Sequence, residues 1–137
     1  MNNQIKEFIE DNDRFASHSA IKLLEVNRGS ATAEMEIKPF HLNASGTVHG
    51  AALFTLADLV LAAASNSRGR LALSIQASMN FFQAEREGKL TAMAEEIKKH
   101  PRLATYRVEI RNEKDELIAD FEGTVYRKKE KFPPEIK

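Results

Sequence analysis

One segment constrains this chain more than any other. From Val48 to about Ser65 the side chains are apolar on nearly every side, and this is the chain's one long helix candidate. A helix with no polar face to turn to water is buried all round. Its alanines, among them Ala51, Ala57, Ala62 and Ala64, let other backbone approach closely. A single helix of this kind needs a sheet wrapped around it.

Strand patterns lie on both sides of that helix. Ile21 to Val26 reads as a strand, with Asn27-Arg28-Gly29-Ser30 as its turn. Ala31, Ala33, Met35 and Ile37 then alternate with Thr32, Glu34, Glu36 and Lys38, so one face is buried and the other wet. Pro39 ends that strand, and a polar loop runs through Thr47. After the helix, Asn66-Ser67-Arg68-Gly69 is a C-terminal stop. Leu73, Ile75, Ala77, Met79 and Phe81 alternate with Ser74, Gln76, Ser78 and Asn80. A further strand spans Leu90 to Lys98, and another carries Tyr106, Val108 and Ile110. A hairpin loop from Asn112 to Glu116 leads into the last strand, with Leu117, Ala119, Phe121, Gly123 and Val125. Ile5 to Phe15 has the spacing of a short amphipathic helix, and the lysine-rich tail, 128–137, is expected to fray. The expectation is one α+β domain over 1–137, a long curved antiparallel sheet around one central helix with a short N-terminal helix.

Composition narrows the function classes. Twenty acidic and twenty basic side chains cancel, so no global field points to nucleic acid or an anionic membrane. The absence of cysteine removes disulfides, thiol nucleophiles and thiolate metal sites, and fits a reducing compartment. The N-terminal residues lack the apolar core of a signal peptide, and the run from Gly50 to Ala64 is too short for a membrane span. A cytoplasmic protein is expected. His18, His41 and His100 show no ligand spacing, so a metal site is not expected. There is no G-x-S-x-G elbow and no phosphate loop.

Two features of the central helix carry chemistry. Asp58 stands among Leu56, Ala57, Leu59, Val60 and Leu61, where a carboxylate costs free energy if buried. Gly50 opens the helix, and bare backbone N–H groups at the positive end of its dipole can hold a developing oxyanion. Acid and oxyanion donor together point to acyl chemistry. Eight residues of helix separate them by roughly 12 Å, so one substrate carbonyl cannot touch both within one chain. Two such helices running antiparallel across a two-fold axis bring Gly50 of one chain near Asp58 of the other. The chemistry therefore predicts a homodimer, with a dimer of dimers left open.

Asn43, Gly46, His49-Gly50 and Asp58 fall in the pattern N-x-x-G-x-x-H-G-x(7)-D. This resembles the hotdog-fold acyl-CoA thioesterases of the PaaI-like and thioesterase superfamily member 2 group, over about 21–128. The resemblance implies a hotdog fold and hydrolysis of an acyl-CoA to carboxylic acid and CoA without a cofactor. It implies that Asp58 acts as general base on water, or as a nucleophile forming an anhydride. It implies that the Gly50 N–H polarises the thioester carbonyl, that Asn43 positions the water, and that His49 lies beside the oxyanion site. Ser74 matches a serine placed near the carboxylate.

Each residue also has a structural reading. Asp58 could be a carboxylate bonded to a neighbouring subunit, Gly50 a point of close helix entry, and Asn43 a turn or cap residue. His49 could be a loop histidine, and Ser74 a polar sheet residue. Lys98, Lys99, Arg102, Lys128, Lys129 and Lys131 read as solvated faces or as partners of CoA phosphates. Two positions depart from the family pattern: Ala51 replaces a second glycine, and Gln83-Ala84-Glu85 replaces an Arg-Pro, which puts an acid near the expected mouth. These departures favour a competing expectation, a non-catalytic acyl-CoA-binding hotdog serving as sensor or lipid-handling module. A hotdog hydratase or dehydratase is a further competitor, but the segment lacks its pattern.

Overall fold

The computed structural model describes residues 2–134. Two short helices, α1 (Asn2–Asn12) and α2 (Arg14–His18), lead into strands β1 (Ile21–Asn27) and β2 (Ser30–Glu36). A 3-10 turn (Pro39–His41) and a loop precede the long helix α3 (Gly50–Asn66). Four strands follow: β3 (Arg70–Phe81), β4 (Lys89–Lys99), β5 (Leu103–Arg111) and β6 (Leu117–Lys131). The sheet runs β1-β2-β4-β5-β6-β3, every neighbouring pair antiparallel, with β3 at one edge. It curves around α3 in the expected hotdog arrangement.

The sequence explains why the sheet can close on the helix. The inner face of β2 and β4 carries Ala31, Ala33, Ala92 and Ala94, all buried, and these small side chains let α3 sit low on the sheet. Larger side chains from β5 and β6, including Tyr106, Val108, Ile110 and Phe121, fill the space beside Leu56, Val60 and Leu61. At Gly123 the lack of a side chain makes room for the helix, since an added Cβ would lie 2.8 Å from Leu61 Cδ2.

Four expectations need correction. The N-terminal helix is two helices, because Asp13 breaks it. Its Oδ1 accepts a hydrogen bond from Ala16 N at 3.0 Å, capping α2. The tail does not fray at 128. β6 continues to Lys131, held by Arg70, whose guanidinium donates to the carbonyls of Lys128 (2.7 Å) and Arg127 (3.1 Å). Beyond it Phe132 N donates to Gly69 O at 3.0 Å and its ring packs edge-on against Phe8, and 135–137 lie outside the described residues.

The third correction concerns β3, whose alternation breaks at a bulge between Ser74 and Gln76. Before it, Leu73 pairs with the exposed Tyr126, and Ser74 pairs with the buried Val125. After it, Met79 and Phe81 pair with the buried Phe121 and Ala119. Ser74 therefore shares the helix-facing side that Met79 and Phe81 occupy further on, and Leu73 does not.

The fourth concerns α3 itself. In the single chain it is not buried all round: Ala51, Phe54 and Asp58 are exposed, with Thr55 and Ala62 half-buried beside them. The edge strand next to it exposes Leu73, Ile75 and Phe81. One stripe of an apolar helix and one apolar edge thus remain uncovered by the chain's own sheet.

Candidate active site

The loop before α3 is fixed by its own side chains. Asn43 Oδ1 accepts from Ser45 N (2.9 Å) and Thr47 N (3.2 Å), and Asn43 N donates to Thr47 O (2.7 Å). Gly46 sits at φ +77°, a left-handed conformation that suits glycine. Val48 N donates to Glu85 O at 2.8 Å, tying the loop to the segment after β3. Asn43 therefore spends its amide oxygen on the loop, as its turn reading anticipates.

That loop delivers His49 as the cap of α3. Its Nδ1 accepts from Ala51 N at 3.0 Å, and its carbonyl accepts from Ala52 N (2.9 Å) and Leu53 N (3.3 Å). Of the first-turn donors, Gly50 N–H is the one left without an acceptor among the described residues. It lies at the positive end of a 17-residue helix. Asn43, Thr47, Gly50, Phe81, Phe82 and Gln83 line a hollow of 430 Å³ beside it. An added Cβ at Gly50 would lie 3.4 Å from the Phe81 ring, an ordinary van der Waals contact, so the ring stands beside the donor without requiring the glycine.

Asp58 lies two turns further on, along the open stripe, and lines neither this hollow nor the others described. It is open to water on one side. The surrounding protein nevertheless displaces enough solvent to raise its pKa above the ordinary carboxylate value, and the negative charge of Asp13 adds to the rise. Ser74 is on the helix-facing side of β3, exposed like Asp58. The single chain brings Asn43 and Gly50 together and keeps Asp58 apart from them.

A second hollow, of 540 Å³, flanks the same first turn on the other side. Phe15, Phe40, Leu42, Ala51, Ala52 and Thr55 give it a mainly apolar lining. Its floor includes His41, only 3% exposed. His41 Nδ1 accepts from Lys38 N at 2.9 Å, so the neutral ring carries its proton on Nε2, which donates to Ser19 O at 2.7 Å. Sequence reasoning weighed His41 only as a metal ligand. Its burial depends on α2 folding back across the 3-10 turn, and no local pattern signals that.

The remaining expectations can be placed. Glu85 lines a neighbouring hollow rather than the one at Gly50, and its carboxylate accepts from Gln83 Nε2 (2.9 Å) and Asn112 Nδ2 (2.8 Å). Among the described residues no group of three or more His, Asp or Glu could hold a metal ion. No helix among them is long and apolar enough to cross a membrane.

Known proteins resemble this chain in sequence and in fold. The family model of the thioesterase superfamily matches residues 45–119. A protein of Archaeoglobus fulgidus, whose name proposes esterase activity, is 43% identical over 132 residues, 96% of this chain and 86% of its own. The acyl-coenzyme A thioesterase PaaI of Escherichia coli K12 is 30% identical over 118 residues, 85% of this chain and 84% of its own. The solved structure of the E. coli PaaI protein superposes with a TM-score of 0.89, at 28% identity over 93% of each chain.

Proposed function

The chain belongs to the thioesterase superfamily and is a thioester hydrolase, and on that premise we propose that it hydrolyses acyl-CoA at a site shared between two protomers. The observation that carries this reading is the unpaired Gly50 N–H at the head of α3. A thioester oxygen placed there receives a hydrogen bond that strengthens as the carbonyl becomes an oxyanion. The carboxylate needed to activate water is two turns away on the same helix, so it comes from the partner. The uncovered stripe of α3 and the exposed apolar edge at β3 are what an antiparallel partner would cover.

The step balances without a cofactor. The partner's Asp58 takes a proton from water, and the water oxygen adds to the carbonyl carbon. The tetrahedral oxyanion is held by Gly50 N–H until the carbon–sulfur bond breaks. Asp58 returns the proton to the departing thiolate, giving a carboxylic acid and free CoA. His49 leaves Gly50 N–H free by engaging Ala51 N. Asn43 holds the loop that carries His49, and the second hydrogen on its Nδ2 is available to the attacking water. Ser74 steadies Asp58 from the helix-facing side of β3.

Thiol release from a panel of short, medium, long and aryl acyl-CoAs, measured beside Asp58→Asn, tests the proposal. We expect turnover to fall by about 10² to 10⁴ while the oligomer stays intact. Unchanged turnover in the variant would sink the assignment. Acyl-CoA binding without turnover in the native protein would instead establish the sensor or carrier reading.

A further inference from the structure

A thioester has two arms, and two hollows flank the first turn of α3. The hollow at Gly50 has a mixed wall, in which amide and hydroxyl groups from Asn43, Thr47 and Gln83 stand beside the rings of Phe81 and Phe82, and those polar groups suit the amide-bearing arm of the carrier. The other, at 540 Å³, is mainly apolar and within the size range of small-molecule sites. Two of its walls are phenylalanines that the single chain leaves 68% (Phe15) and 66% (Phe40) exposed. Both come from elements that precede the region matched by the family model, which begins at residue 45. A pair of rings this exposed, held across a hollow beside the reacting carbon, is explained if an apolar group covers them.

We propose, resting on the thioesterase reading, that this hollow receives the acyl chain, that Phe15 and Phe40 favour an apolar acyl chain that reaches them over acetyl, and that His41 is the positioning residue that holds them apart. Phe15 belongs to α2 and Phe40 to the 3-10 turn, two segments with no strand pairing between them. His41 joins them: Nε2–H donates to the carbonyl of Ser19 at the end of α2, and Nδ1 accepts from Lys38 at the start of the turn. The Phe40 ring lies 4.5 Å from the His41 ring, centroid to centroid. His41 O also accepts from His49 N at 2.7 Å, so the staple that sets the pocket walls extends to the cap of α3.

The experiment compares kcat/KM for acetyl-CoA and octanoyl-CoA in the native protein, Phe15→Ala, Phe40→Ala, His41→Phe and His41→Asn. Truncating either phenylalanine should lower the octanoyl value by about tenfold and change the acetyl value less than about twofold. His41→Phe should lose the same selectivity, and His41→Asn, which keeps a donor and an acceptor, should restore part of it. Should His41→Phe fail to fold, the two phenylalanine variants decide. An equal change on both substrates, or no change, overturns the proposal. So does dissociation of the oligomer with selectivity intact, which would show that a second copy of the chain covers the rings. Calorimetric binding of octanoyl-CoA and of CoA alone in the Asp58→Asn background separates the two levels. A protein that hydrolyses nothing yet binds octanoyl-CoA more weakly after Phe40→Ala loses the thioesterase reading and keeps the pocket. One that hydrolyses both substrates with unaltered selectivity keeps the reading and loses the pocket.

Discussion

The two sides of α3 look alike in sequence and differ in what they meet. The side toward β2, β4, β5 and β6 is sealed: Leu56, Val60 and Leu61 expose no surface. The other side, through Ala51, Phe54, Thr55, Asp58 and Ala62, is uncovered by its own chain. Both are rich in apolar side chains, so residue type alone does not tell the covered face from the open one. What distinguishes them is the polar group each tolerates. The sealed face carries none through its centre, and the open one carries Asp58 with a raised pKa and begins at an unpaired N–H.

Substitutions on the two sides should therefore separate stability from chemistry. After Asp58→Asn, the largest effect is expected at the head of the helix. Gly50→Pro deletes the N–H donor at the first helical position, where proline is favoured, and His49 already has the extended conformation a following proline requires (φ −64°, ψ 137°). Turnover should fall by about 10² to 10³ with little change in the melting temperature. A comparable loss of stability would show that the glycine serves the fold instead.

On the sealed side the pattern reverses. Leu56→Ala should cost about 2–5 kcal/mol in denaturant unfolding and leave kcat per folded molecule nearly unchanged. A large loss of kcat in the folded variant would mean that the core and the site are not separable.

The smallest effect concerns Asp13. A general base works as its carboxylate, so activity should decline as pH falls through the pKa of Asp58, which burial and Asp13 raise from its ordinary value. Asp13→Asn removes a repelling charge and should move that acidic limb to lower pH. Because burial is the larger cause, the limb should still lie above the ordinary value. A limb that does not move, or moves upward, contradicts the electrostatic assignment.

The sequence made the helix, most strands and the loop motif legible, since each rests on local periodicity or turn chemistry. Ala31, Ala33 and Met35 alternate because one face of β2 packs on α3, and a period of two survives in the sequence. The β3 bulge was not legible. The apolar run from Leu73 to Phe81 looks uninterrupted, and only pairing with Tyr126 and Val125 on β6 shows Leu73 and Ser74 changing sides. The reach of β6 to Lys131 depends on Arg70, which is 57 and 58 residues from the carbonyls it holds. The capping role of Asp13 was local and could have been read: an Asp followed by Arg14-Phe15-Ala16 is a helix start. Asn43, His49 and Gly50 are neighbours in the sequence and share one loop and helix start, whereas Phe15 meets Phe40 and His41 only when two segments distant in sequence fold together.

The central claim is that one site draws on two chains, and subunit complementation measures it most directly. Gly50→Pro and Asp58→Asn, each expected to lose most of its turnover alone, would be co-refolded in equal amounts and assayed for thiol release. In a mixed dimer one site has both the native Gly50 of the Asp58→Asn chain and the native Asp58 of the Gly50→Pro chain. Random pairing should therefore restore about a quarter of native activity. Activity no higher than that of the two variants separately would contradict the shared site and place Gly50 and Asp58 in chemistry confined to a single chain.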